Sequence, residues 1–170
     1  MMDEPILGPE FHVPAEAAAH DPAARELIAD LVHTEPFAVL CTQGGGQPYG
    51  SLVAFAFSPD LETFVFATPV PTRKYRLLTE NDHVALLVDN RGRYPEEMMK
   101  VSAVTVTGRA SQVEAGPEFE RWAGLLTARH PYLKSFVKAP STALFRVEVV
   151  RCLHVTRFQE VRQWIPASDG

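Results

Sequence analysis

Three apolar segments in the first half of the chain are joined by turns too short to hold a helix. The segments cover residues 37–42, 49–57 and 62–68, and the turns cover residues 43–48 and 58–61. Apolar runs bounded by turn residues predict β-strands, and strands joined by short turns pair antiparallel. A doubly wound parallel sheet would need a helix between nearly every pair of strands. The pattern therefore predicts an antiparallel fold and excludes a doubly wound one.

The rest of the chain adds three predicted strands and several predicted helices. The strands cover residues 83–88, 101–110 and 142–150, and the last of them continues to Val155. Helices are predicted from N-caps, initial prolines and apolar periodicity over residues 22–33, 72–80, 117–129 and 132–138. Residues 89–100 are predicted to form a loop or crossover, and the aromatic tail, residues 157–164, has no obvious core of its own. This count predicts a mainly β protein with appended helices, a six-stranded antiparallel barrel.

The length and composition suit one globular domain. The chain has 170 residues, of which 46% are apolar and 22% are charged. We place the domain at residues 21–165, after an N-terminal arm of residues 1–20 and before a C-terminal tail of residues 166–170. A net charge of −5 argues against binding to nucleic acid through phosphate neutralisation.

Signals for export or for a membrane are missing from the sequence. No stretch approaches the roughly 18 apolar residues of a membrane span, and the acidic start is not followed by the apolar region of a secretory signal. Cys41 and Cys152 lie in apolar runs without metal-ligand spacing, which favours packing in a reducing compartment. We therefore expect a cytoplasmic protein that does not bind membranes.

The segment after the third predicted strand combines a helix start with a group of cations. Thr72 is a good N-cap, because its hydroxyl can accept a hydrogen bond from a first-turn amide. Arg73, Lys74 and Arg76 follow, although the helix dipole favours acidic residues at this end. Free amides, a hydroxyl and cations together suit a phosphate group. Two interpretations stay open from these residues alone: a cradle for a phosphorylated cofactor, or three solvated cations on a surface turn.

Residues 44–46 are three consecutive glycines and form a second candidate phosphate site. A phosphate-binding loop of this kind is followed by Lys and then Ser or Thr at the start of a helix. Neither feature follows here. The glycines are therefore predicted to form a hairpin turn, where they can adopt positive φ.

Three segments, in order along the chain, resemble the pyridoxamine 5′-phosphate oxidase-like, FMN-binding split-barrel superfamily. They are Gly46-Gln47-Pro48-Tyr49-Gly50-Ser51-Leu52-Val53, then Phe66-Ala67-Thr68 with Thr72-Arg73-Lys74, then Asn81-Asp82-His83-Val84-Ala85-Leu86-Leu87-Val88. The resemblance covers about residues 22–164 and rests on the order and spacing of the segments. It implies a split β-barrel that forms a twofold homodimer, with FMN in each of two interface clefts.

The resemblance also implies which residues hold the cofactor. In this family the second strand lies along the flavin, a Ser/Thr-Arg-Lys triplet after the third strand holds its phosphate, and a second subunit completes the site. Thr72, Arg73 and Lys74 match the triplet. The other candidates lie in or after the strands and in the tail: Ser51, Leu52, Val53, Ala67, Thr68, Asn90, Ser102 and Trp164.

These further candidates have different expected roles. Asn90 and Ser102 could hydrogen-bond to the flavin ring edge or could be ordinary turn and strand residues. Trp164 could cover the flavin or the dimer seam or could pack on the surface. No catalytic residue and no metal ligand is predicted.

Two departures separate this chain from the oxidases that make pyridoxal phosphate. Those enzymes have an arginine near the position of Ser51 and a set pattern of basic substrate-binding residues near the C-terminus, and neither is clear here. The chain is more similar to the haem-utilisation split barrels, which share the segment at residues 46–53 and a tail with Phe and Trp. Those haem proteins have a His-Thr pair near the helix start, where this chain has Thr72-Arg73. FMN is therefore the expected cofactor, and haem is the alternative.

The resemblance implies a flavoprotein that passes electrons or hydride from a reduced nicotinamide to an unidentified small molecule. This function asks little of the side chains, because the flavin carries the redox chemistry and the protein positions it. The alternatives are a haem-binding or haem-degrading split barrel and a non-catalytic flavin-binding module. A deazaflavin coenzyme in place of FMN also stays open.

Overall fold

The computed structural model describes residues 21–157 and 160–167. Its strands are β1 (Phe37–Gly44), β2 (Gln47–Phe57), β3 (Thr63–Pro69), β4 (His83–Asp89), β5 (Ser102–Gln112), β6 (Thr142–Thr156) and β7 (Glu160–Trp164). Its helices are α1 (Pro22–Thr34), α2 (Arg73–Glu80), α3 (Pro117–Arg129) and α4 (Lys134–Lys138), with 3₁₀ turns at Arg91–Arg93, Met98–Lys100 and Pro131–Leu133. The predicted arm, residues 1–20, and residues 168–170 of the predicted tail lie outside the described residues.

The strands form one antiparallel sheet that closes on itself. Their order is β3–β2–β1–β4–β5–β6–β7, and β3 also pairs with β6. Six strands therefore form a ring, which confirms the predicted antiparallel barrel. β6 is 15 residues long. Its first half pairs with β3, and residues 152–156 pair with β7.

The number of strands differs from the prediction, because the aromatic tail supplies β7 as a seventh strand. Trp164 pairs with Cys152 of β6 and is 6% exposed within the core. The tail therefore shares the core of the barrel instead of lacking one. Trp164 is the only buried residue of β7, so the tail lacks the strong apolar alternation that marks the other strands.

The hairpin between β1 and β2 has the turn that the glycines predict. Gly45 and Gly46 form a two-residue turn with φ of 58° and 77°, and Gly44 pairs with Gln47. This region of φ suits glycine because it has no Cβ. The glycines therefore belong to a hairpin turn and do not open a helix.

The buried side chains form two clusters, one on each side of the barrel wall. The inner cluster fills the barrel and includes Ile28 of α1, Leu78 of α2, Phe55, Phe64, Phe66, Phe145 and Trp164. The outer cluster lies between the wall and helices α3 and α4, and it includes Val65, Trp122, Leu126, Val137 and Leu144. Strand residues alternate between the two sides. Because α2 begins a short turn after β3 ends, the start of α2 lies at the barrel wall, beside the end of β3.

Candidate functional site

The start of α2 is tied to the end of β3 by two threonines. Thr72 accepts a hydrogen bond from the Tyr75 amide at 3.2 Å, as an N-cap does. Its hydroxyl also donates to the Pro69 carbonyl at 2.8 Å. The Thr68 hydroxyl lies 3.3 Å from the Thr72 hydroxyl, and Thr68 is fully buried. These contacts fix the position of the first helical turn.

Donors collect at this turn without acidic residues to neutralise them. The amides of Arg73 and Lys74 are the first two of the helix and have no carbonyl one turn earlier to bond. The first turn contains no acidic residue, and neither side chain forms an ion pair with any residue that the structure describes. Arg76, by contrast, lies 3.7 Å from Glu80. Arg73 and Lys74 are therefore the two cations available to an anion.

Partial burial gives Lys74 a second feature of a binding residue. Desolvation lowers the pKa of its amine below the usual value. The charged amine loses hydration on burial, and no carboxylate in the described chain lies close enough to compensate for this loss. A bound anion would restore the favourable interaction and raise this pKa.

β2 supplies the facing side of the site. β2 pairs with β3 only over residues 55–57, so the two strands part before Phe55. On the side of β2 that faces into the barrel, the ring of Tyr49 lies 5.2 Å from the Arg73 guanidinium carbon. Two residues further along the same side, the Ser51 hydroxyl oxygen is buried without a hydrogen-bond partner among the described residues. Such an orphan hydroxyl favours a ligand that would satisfy it.

The other predicted residues of β2 and β3 have different surroundings. Val53 is 5% exposed and belongs to the inner core, whereas Leu52 points outward and is 68% exposed. Ala67 is partly buried against the outer cluster. Thr68 is the one member of this group that contacts the triplet through its side chain, by its contact with Thr72.

Asn90 and Ser102 contact each other at the far end of β4. The Asn90 side-chain oxygen accepts a hydrogen bond from the Ser102 amide at 2.8 Å, and the Asn90 amide donates to the Ser102 carbonyl at 3.2 Å. Arg73, at the start of α2, contacts Tyr49, which pairs with Thr42 at the end of β1 that lies beside His83, the opposite end of β4. A seven-residue strand is roughly 20 Å long. The pair is therefore separated from the start of α2 within one chain.

Trp164 contacts neither the start of α2 nor the Asn90–Ser102 pair. Its indole packs in the inner core, with the Arg25 guanidinium of α1 6.0 Å from the ring centre. The side chain thus joins β7 and α1 to the barrel, and this chain by itself leaves it little exposed surface for a ligand.

One outer face of the barrel carries a row of mostly apolar side chains. Strand pairing places Leu52, Val39, Leu87, Thr105, Leu153 and Gln163 in register across β2, β1, β4, β5, β6 and β7. Phe37 lies on the same face at 46% exposure, and Leu52 is the most exposed large apolar side chain among the described residues. We call this the outer row. Large contiguous apolar patches on a protein surface are typical of interaction sites.

Sequence reasoning did not assign Tyr49 to the site. The available signal was its place two residues before Ser51 in the same strand, which puts both side chains on one side.

No group of three or more His, Cys, Asp or Glu side chains in the described ranges could hold a metal ion. No helix within these ranges is long and apolar enough to cross a membrane.

A comparison with protein families matches one family model to most of the chain. The model is that of pyridoxamine 5′-phosphate oxidase, and it matches residues 24–156. The comparison with curated proteins finds no match.

Solved structures with low sequence identity have a similar fold. A haem-binding protein from Mycobacterium smegmatis aligns with a TM-score of 0.76 and 16% identity, over 86% of this chain and 60% of its own. The haem storage protein HutZ from Vibrio cholerae aligns with a TM-score of 0.65 and 17% identity, over 73% and 88%. An FAD-binding protein from Mesorhizobium loti aligns with a TM-score of 0.63 and 17% identity, over 76% and 90%. At these identities the likeness concerns the fold alone.

Proposed function

Because the chain belongs to the pyridoxamine 5′-phosphate oxidase family, we propose that it binds FMN with the phosphate at the start of α2. One observation carries this proposal. Arg73 and Lys74 lie at a capped helix start with no carboxylate partner among the described residues. A phosphate would accept from their side chains and from the free amides of the first turn.

The residues around this turn fit a phosphate group in charge and in hydrogen-bonding capacity. Arg73 offers a planar fork of donors, and Lys74 offers a partly desolvated ammonium whose pKa is lowered. The buried Ser51 hydroxyl has an unused donor and acceptor. Thr72 holds the turn in place, since its hydroxyl is already bonded to Tyr75 and Pro69.

We propose a homodimer as the complete form of the site. The predicted cofactor residues fall at two ends of β4, with the triplet at one end and the Asn90–Ser102 pair at the other. One chain does not bring these ends together, whereas a second copy docked on the outer row would carry its own pair to the triplet of the first. The exposed apolar side chains Leu52 and Phe37 support this face as the contact.

We also propose an oxidoreductase activity. When bound, the flavin would supply the redox chemistry by accepting hydride from a reduced nicotinamide and passing it to a small acceptor. The chain's own residues anchor and orient the cofactor. A module that binds flavin without turnover would have the same anchoring residues, so reduction kinetics separate the two.

Haem is the second candidate ligand. The support for haem is that two of the fold neighbours, from Mycobacterium smegmatis and Vibrio cholerae, are described as haem-binding and haem storage proteins. Haem carries two carboxylates, which the two free cations could also bind.

The absorbance spectrum of the purified protein tests these proposals. We expect flavin bands, or uptake of added FMN with one equivalent per chain, and faster reduction by a nicotinamide than free FMN shows. A Soret band on titration with haem, without FMN uptake, would favour the second candidate. Failure to take up either FMN or a deazaflavin phosphate would contradict the flavin proposal.

A further inference from the structure

Tyr49 lies in the paired part of β2, beside the proposed phosphate site. It is half-buried near the start of β2 and pairs with Thr42 of β1. The Thr42 hydroxyl donates to the Tyr49 carbonyl at 3.3 Å, and Thr42 is 3% exposed. The backbone that carries the Tyr49 ring is therefore held by the sheet and by a buried side chain.

The ring contacts Arg73, which has no other fixed partner. The Arg73 guanidinium carbon lies 5.2 Å from the centre of the Tyr49 ring, within the range of a cation–π contact. Arg73 is exposed and forms no ion pair with a described residue. A long side chain without a partner samples many rotamers, and binding must then overcome the entropy of ordering it.

The donors of Arg73 are unused within the described chain, because its guanidinium forms no hydrogen bond or ion pair there. A guanidinium stacks on an aromatic ring through its flat face, and its N–H groups point outward in its own plane. These N–H groups can still form paired hydrogen bonds with phosphate oxygens. Arg76, by contrast, has a carboxylate nearby, since its Nε lies 3.7 Å from Glu80.

We infer that Tyr49 is a positioning residue, which holds the Arg73 guanidinium ready for the phosphate of the cofactor. This inference rests on the proposed function, in which Arg73 binds the flavin phosphate. Tyr49 acts through Arg73 and supplies no bond to the phosphate itself. Its effect should therefore appear with FMN and be missing with riboflavin, which is the same ring system without phosphate.

Titrations of FMN and riboflavin, followed by flavin fluorescence, test the inference. Tyr49→Ile and Tyr49→Leu remove the ring, and Ile also suits a strand. We expect FMN affinity to fall about two- to fivefold, the range of a partly exposed cation–π contact, with riboflavin affinity unchanged. Tyr49→Phe, the matched control, keeps the ring and should bind FMN as the wild type does.

A double-mutant cycle separates positioning from a general structural effect. In an Arg73→Ala background, Tyr49→Ile should no longer weaken FMN binding, because the residue through which Tyr49 acts has been removed. Equal losses for FMN and riboflavin, or a loss that persists without Arg73, would overturn the positioning role while leaving the proposed function intact. A wild-type protein that binds riboflavin and FMN equally would overturn both.

Discussion

Of the three cations in the first turn of α2, two lack an ion-pair partner within the described ranges and the third has one. Arg73 and Lys74 have no carboxylate partner among the described residues, whereas Arg76 lies 3.7 Å from Glu80. The sequence presents the three as one basic segment, but the predicted helix over residues 72–80 already places Glu80 four residues after Arg76. The ion pair follows from helical spacing, which brings residues four apart onto one side.

Arg73 and Lys74 should therefore contribute to FMN binding, whereas Arg76 should not. Replacing both Arg73 and Lys74 by Ala should weaken FMN binding by roughly 3 kcal/mol or more, since each charge-assisted bond contributes about 1.5–3 kcal/mol. Isothermal titration calorimetry measures the affinity, and thermal unfolding checks the fold. Arg76→Ala is the matched control and should leave the affinity near that of the wild type. Equal affinities for the double variant and the control would place the phosphate elsewhere.

His154 of β6 is a buried histidine of the barrel. The side chain is 2% exposed, and its Nδ1 has no hydrogen-bond partner in the described part of the chain. Burial first, and then the positive charge of Arg162, lower the pKa of His154 below its usual value. Arg162 in turn lies 3.7 Å from Asp21, the N-cap of α1. Protonation of His154 is therefore less favourable in the folded protein than in the unfolded chain.

We predict that the free energy of unfolding falls as the pH drops below about 6.5, the usual pKa of histidine in an unfolded chain. The stability associated with neutral His154 is complete above that pH and is lost as the pH falls through the lower folded pKa, by at most about 1.4 kcal/mol per pH unit. Urea unfolding between pH 7.5 and 5 should show a flatter profile for His154→Leu. The exposed His33→Gln should keep the wild-type slope, and an unchanged slope in His154→Leu would exclude this origin.

At the scale of elements, α1 and α3 are joined by one arginine at their ends. Arg129, the last residue of α3, donates through Nη2 to the carbonyls of Val32, His33 and Glu35 at the end of α1, at 3.3 Å for His33 and 2.7 Å for Glu35. Its guanidinium also lies 4.6 Å from the ring of Phe55. The C-terminal carbonyls of α1, which lack helical partners, are thus satisfied by α3.

Replacing Arg129 by Met should destabilise the protein by about 2–4 kcal/mol, because it leaves these carbonyls without their charged donor. Urea unfolding measures the loss, and hydrogen exchange should show earlier opening at the end of α1. Arg121→Met on the same helix is the control. Arg121 is exposed and lies 3.8 Å from Glu118, a pair for which we expect less than about 1 kcal/mol. Similar losses in both variants would contradict the linking role.

For the whole molecule, the outer row decides the proposed assembly. Leu52→Glu would place a charge on the apolar face and should raise the dimer dissociation constant at least about tenfold, a cost of roughly 1.4 kcal/mol. Sedimentation velocity of the cofactor-free protein measures this directly. Leu27→Glu, at 39% exposure on α1 and outside the outer row, should leave the dimer intact. A wild-type monomer would refute the assembly, and an unchanged dimer in Leu52→Glu would place the contact on another face.

Features that depend on neighbouring residues follow from the sequence alone. The hairpin turn at Gly45 and Gly46, the Thr72 cap and the helix after β3 follow from backbone preferences and hydrogen bonds within a few residues. The short turns between the apolar segments likewise predicted an antiparallel barrel. The cofactor that this site binds remains a prediction from the same residues.

Features that join distant parts of the chain depend on how the barrel closes. The pairing of β3 with β6, the place of Trp164 in the core and the contact of Tyr49 with Arg73 each join residues well separated in sequence. Such contacts depend on which surfaces meet once the barrel closes. Local preferences do not encode them, because the free energy that selects them comes from burial and charge in the folded chain.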